Sequence, residues 1–136
     1  MPETLLEGGL FINKSKTEKY HISRTSDTKW RNCKYLGSLL GTEEDIKRRK
    51  GLVYDTCNTL EKIINSNQVS EIIRLRIFKA YIESIFLYNS ELWTLTKTLE
   101  NTIDCFQRRI LRKIIHVKWP RTINNKELYE RTNMIP

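Results

Sequence analysis

The residues able to do chemistry are few, and their spacing suits little of it. Phosphoryl transfer needs carboxylates placed to hold two magnesium ions, yet the acidic cluster in these 136 residues is Glu43-Glu44-Asp45. Three consecutive carboxylates opening a helical pattern complement the helix dipole, so a structural role is expected of them. His21 and His116 stand far apart with no HExxH-type spacing, which argues against a metal site. Cys33, Cys57 and Cys105 are an odd set with no CxxC; reduced thiols fit that pattern better than a disulfide framework or zinc. There is no P-loop, GxGxxG or nucleophile elbow. An autonomous enzyme is not expected, and the residues themselves imply no cofactor.

Binding suits them better. Lys and Arg number 24 against 16 Asp and Glu, a net +8, and nucleic acid is the first partner such an excess suggests. The charge sits in two blocks: residues 14–34 carry +5 and residues 97–126 carry +6, while residues 35–96 balance at eight and eight. Arg108, Arg109, Arg112 and Lys113 place four positive charges within six residues, suited to lie along phosphates and fix position without reading bases. Lys118-Trp119-Pro120-Arg121 sets an aromatic ring between basic residues, a pattern that suits stacking on a base. The opposing account is solvated arginines and a Trp119 that caps the helical core.

The elements that must position these groups change character at residue 42. Before it, short apolar runs are broken by Gly8-Gly9, Asn13-Lys14-Ser15 and the polar stretch 24–28. Two or three short strands are expected there, with Tyr20 and Ile22 on a buried face. From Thr42, an expected N-cap, the pattern turns helical. Ile46, Val53, Cys57, Leu60, Ile63 and Ile64 mark one face; Asn65-Ser66-Asn67-Gln68 ends it. A second helix, about Val69 to Asn89, is apolar on nearly every side and so is expected to be central, with neighbours on more than one face. A third, about Thr98 to Val117, shows a clean stripe from Leu99 through Ile103, Phe106, Ile110 and Ile114. A short helix from Lys126 to Thr132 follows Pro120. The class is α+β: a β-rich region at 1–42, then a bundle of three to four helices at 43–136. No apolar run approaches 18 residues, and Glu3 and Glu7 without a basic residue do not make a signal peptide. An intracellular protein of nucleus or cytoplasm, with no membrane partner, is expected.

Four segments, read in order, carry a likeness. They are Gly9-Leu10-Phe11-Ile12-Asn13-Lys14-Ser15-Lys16-Thr17-Glu18, Lys34-Tyr35-Leu36-Gly37-Ser38, Leu87-Tyr88-Asn89-Ser90-Glu91-Leu92-Trp93 and Phe106-Gln107-Arg108-Arg109-Ile110-Leu111-Arg112. Together they resemble the C-terminal part of the reverse transcriptase of non-LTR (LINE-type) retrotransposons, an RNA-directed DNA polymerase. The first resembles motif D of the palm, the second the YLGS primer grip, and the third a YGxExW element of the thumb, with Asn89 where Gly is usual.

The resemblance implies a palm remnant with a primer-grip-like hairpin at 1–42 and a thumb-like helical domain at 43–136. The intact family uses magnesium held by aspartates of earlier palm motifs, which this chain lacks, so the resemblance implies a chain inactive by itself. Lys16 matches the motif D lysine that protonates leaving pyrophosphate. Lys34, Tyr35, Leu36 and Gly37 match the grip on the primer's sugar-phosphate, and Arg108, Arg109, Arg112 and Lys113 fit a thumb helix that tracks the template–primer backbone. Lys118 and Arg121 extend that basic surface. The implied partner is RNA–DNA or DNA duplex held by its backbone, together with the missing palm and fingers of a polymerase. Neutralising about six phosphates would give a log–log salt slope near −5. The rival is a helical structural or protein-interaction module, or a retroelement relic without function.

Overall fold

In a computed structural model, the described residues are 9, 11, 13–20, 22, 28–117 and 120–134. They divide into two compact units, residues 1–30 and residues 31–136. The chain is α+β, with one two-stranded antiparallel sheet followed by helices among the described residues. Among the described residues no helix is long and apolar enough to cross a membrane.

In the first unit Asn13 nucleates a 3-10 turn, Lys14–Lys16. Its Oδ1 accepts from the Ser15 N–H at 3.1 Å and from the Ser15 hydroxyl at 2.6 Å, the local side-chain bonding for which Asn favours turns. The buried face expected of Tyr20 and Ile22 does not form. Ile22 is 72% exposed and Tyr20 is exposed too, and no strand occurs among the described residues before Lys34. Loose alternation without a paired strand has nothing to pack against.

The second unit begins with a hairpin, β1 (Lys34–Tyr35) and β2 (Ser38–Leu39), with Lys34 opposite Leu39 and Tyr35 opposite Ser38. Its two loop residues, Leu36 and Gly37, have φ of +47° and +88°. Positive φ at both is the type I′ arrangement whose twist matches a right-handed hairpin. Leu pays for this conformation; Asn tolerates it better. Leu36→Asn, which creates the favoured Asn-Gly turn, is expected to raise unfolding free energy by about 1 kcal/mol in denaturant titration. A loss of that size would mean that the Leu36 side chain contributes more than its backbone strain costs.

Helix α1 (Thr42–Thr59) follows, then the short α2 (Glu61–Ile64). Gly41, not Thr42, is the N-cap of α1, and no side chain caps it. The Thr42 hydroxyl instead accepts from the Thr94 N–H at 3.1 Å. Ser70 caps α3 (Glu71–Ile77), which runs without a break through a π-helical turn, Phe78–Glu83, into α4 (Ser84–Leu87). Asn89, at φ +56°, ends the run; αL backbone is where Gly is usual and Asn is tolerated. Thr96 caps α5 (Lys97–Ile114) and Asn124 caps α6 (Asn125–Thr132) through side-chain oxygens that accept first-turn N–H groups.

The core joins Val53, Cys57 and Ile64 to Phe78, Ile82 and Phe86, to Phe106, Ile110, Leu111 and Ile114, and to Leu128. Tyr54, Phe106, Phe86 and Trp93 form a chain of ring contacts with centroids 5.0–5.8 Å apart. The helical segment 71–87 is not covered on all sides, as its composition suggested. It buries Phe78, Ile82 and Phe86 but leaves Ile72, Ile73, Tyr81 and Leu87 exposed, because the described helices pack on one side of it. The three cysteines are free.

Candidate nucleic-acid interface

One buried carboxylate organises the end of the molecule that carries the hairpin. Asp45 is fully buried. It accepts from the Leu39 N–H at 2.9 Å, from Arg49 Nε at 2.9 Å and from Trp93 Nε1 at 3.0 Å, with Arg48 at 3.4 Å. Burial alone would push this carboxyl up; the hydrogen bonds from Leu39, Arg49 and Trp93, with the Arg49 charge, outweigh that and hold it below its ordinary value. Arg49 also donates to the Ser38 hydroxyl at 2.7 Å and to the Ile85 carbonyl at 2.9 Å. Arg48 donates to the Gly37 carbonyl, and Asn89 Nδ2 donates to the Leu36 carbonyl at 3.1 Å. The Tyr88 ring lies 3.4 Å from where a Cβ on Gly37 would sit, so glycine also makes room for that ring. The β1–β2 hairpin and the Tyr88–Trp93 segment thus meet at one polar junction. Much of what they do there is hold the hairpin in place, leaving Lys34, Tyr35 and Leu36 exposed.

The basic run Lys47-Arg48-Arg49-Lys50 divides around α1. Successive residues turn by about 100°, so Arg48 and Arg49 serve the junction while Lys47 and Lys50 face α5. Residues 46–50 adjoin residues 96–102, and Tyr54 meets Phe106; α1 and α5 therefore run in the same direction side by side. Between them lie two adjoining hollows of about 460 and 440 Å³. Lys47, Lys50 and Tyr54 line one wall, and Asn101, Thr102 and Arg109 the other. Glu43 stands at the upper end. Lys50 Nζ rests 5.6 Å from the centre of the Phe106 ring, a cation–π contact that fixes the ammonium over the groove.

The four positive charges of α5 do not share one face. Arg109 is exposed and lines the groove. Lys113, one turn on, is exposed too, and its charge partly offsets the rise that burial imposes on the Cys57 thiol of α1. Arg108 and Arg112 turn toward α6. Arg108 donates to the Tyr129 hydroxyl and to Cys105 Sγ, each at 3.3 Å, and Arg112 donates to Asn125 Oδ1 at 2.6 Å. Arg121 is exposed between α5 and α6. Lys118 and Trp119 lie outside the described residues. Lys16 is exposed in the first unit.

Lys47, Lys50, Tyr54, Asn101 and Thr102 escaped the sequence reading. Their signal was present in the Lys47–Lys50 run, but a charge sum over residues 35–96 cancels it. His116 has a structural explanation. At φ +57° beyond α5, its Nε2 donates to the Ile64 carbonyl at 2.7 Å while Nδ1, 2.7 Å from Arg74, accepts. Among the described residues no three His, Cys, Asp or Glu side chains converge to hold a metal ion. No protein family, curated protein or solved structure matches the chain.

Proposed function

We propose that residues 31–136 form a thumb-like nucleic-acid-binding module, of the kind the resemblance to non-LTR reverse transcriptases implies, which holds an RNA–DNA or DNA duplex by its phosphate backbone. The observation that carries this reading is the groove between α1 and α5, where Lys47, Lys50 and Arg109 from two helices converge. Lys113 continues the cationic line. Hydroxyl and amide groups of Thr102 and Asn101 between these cations suit phosphate and sugar oxygens. The fixed hairpin sets Lys34 and Tyr35 on another face at the same end of α1. No catalytic step is assigned to the chain.

The test is fluorescence-anisotropy titration of a labelled duplex at several salt concentrations. Four groove cations, in place of six, give an expected log–log slope on duplex DNA of about −3.5. Absence of binding at low salt, from a folded sample, would reject the reading and leave the protein-interaction module in its place.

A further inference from the structure

The opposite side of α5 carries a cleft of different chemistry. It has a volume of about 280 Å³ and lies between α5 and the π-helical segment. Phe78, Ile82 and Phe86 line one wall, and Ile103, Phe106 and Ile110 the other. The lining also includes two carboxylates, Glu83 and Asp104, one from each wall. Both side chains are half-buried and neither joins a salt bridge among the described residues, although the Asp104 charge does reach Lys97.

The winding explains why Glu83 is there. In a π turn, residues five apart stack, so Glu83 lies on the Phe78 side of its helix. Ordinary α winding would carry it round the helix, away from the Phe78–Ile82 wall. A rare turn type thus brings a negative charge to the edge of an apolar cleft in a chain whose net charge is +8. π turns recur at functional sites.

We infer that this cleft is a binding site for a small amphiphilic organic cation, a compact apolar body that carries an ammonium group. The body fills the space between the phenylalanine and isoleucine walls, and the ammonium lies between Glu83 and Asp104. Two half-buried carboxylates favour a cation over an equally apolar alcohol and oppose an anion. The site shares Phe106 with the α1–α5 groove but none of its cations, so this inference does not depend on nucleic-acid binding.

Hexylammonium, hexanol and hexanoate are matched probes for titration of the full chain, followed by amide chemical shifts. Hexylammonium is expected to bind about tenfold more tightly than hexanol, with hexanoate weakest and shifts centred on residues 78–87 and 103–110. The double variant Glu83→Gln, Asp104→Asn removes only the charges; it should bring hexylammonium and hexanol within about twofold of each other. Leu87→Trp, at the half-exposed mouth, should block all three probes in a folded protein. Equal affinity for the three in the wild-type chain, shifts centred elsewhere, or an ammonium preference that survives the double variant would each overturn the inference.

Discussion

Asp45→Ala is expected to lower unfolding free energy by about 3–5 kcal/mol, a large loss for one polar side chain. The substitution leaves a 2%-exposed Arg49 without its carboxylate, and an uncompensated buried charge costs more than the pair contributes. It also strips the acceptor from the Leu39 N–H and from Trp93 Nε1. The same carboxyl gives the pH dependence its sign. Its native pKa is held below the ordinary value, so folding favours the ionised form. That stabilisation is fully present above about pH 4, where an unfolded Asp is ionised, and is lost as pH falls through the lowered native value. Urea titrations of both proteins from pH 7 downward should show the wild-type advantage narrow below about pH 4. A difference under 1 kcal/mol at pH 7 would show that the junction is not a stabilising centre.

Charge reversal in the groove carries the second large effect. Lys50→Glu with Arg109→Glu is expected to weaken duplex binding about 100-fold near 0.1 M salt, which is about 2.8 kcal/mol, and to flatten the salt slope by about 2. Arg109 is exposed and Lys50 is half-buried with its ammonium at the groove, so the fold should survive at the cost of the Lys50–Phe106 contact. The contrast is Arg108→Ala with Arg112→Ala. Those guanidinium groups hold Tyr129 and Asn125, and their removal should change affinity less than threefold while costing about 1 kcal/mol of stability. Anisotropy and denaturant curves on the same samples separate the two outcomes. If the Arg108/Arg112 pair weakens binding as much as the groove pair, the contact surface lies toward α6.

What could be read from the residue order was what depends on local period and local chemistry. Phe106, Ile110 and Ile114 form a stripe because they recur every three or four residues, and they are buried. Asn13 announces a turn because its side chain bonds a residue close by. The hairpin that the resemblance implied at residues 34–37 turns at Leu36-Gly37 in the fold. What could not be read depends on distant partners. Asp45 reads as a first-turn carboxylate until Trp93, far along the chain, delivers its indole N–H. Arg108 and Arg112 read as members of one basic face until α6 returns to take their hydrogen bonds. Lys47 and Lys50 read as part of a neutral middle until α5 lies beside them. Asn89 reads as a departure from a glycine position until its φ of +56° and its bond to the hairpin show what that position requires.

The π turn makes residue count matter as much as residue identity in this part of the chain. Restoring ordinary winding between Ile77 and Ser84 with every residue kept would rotate everything downstream by about 100°. Tyr88, Asn89 and Trp93 would leave the hairpin and Asp45 together, since all three hang from the end of the same helical run. A single-codon deletion there would let the turn close to ordinary winding with the downstream phase kept, so the junction would survive the loss of a residue. Substitutions of matched size in the same turn would leave the phase of the helix intact.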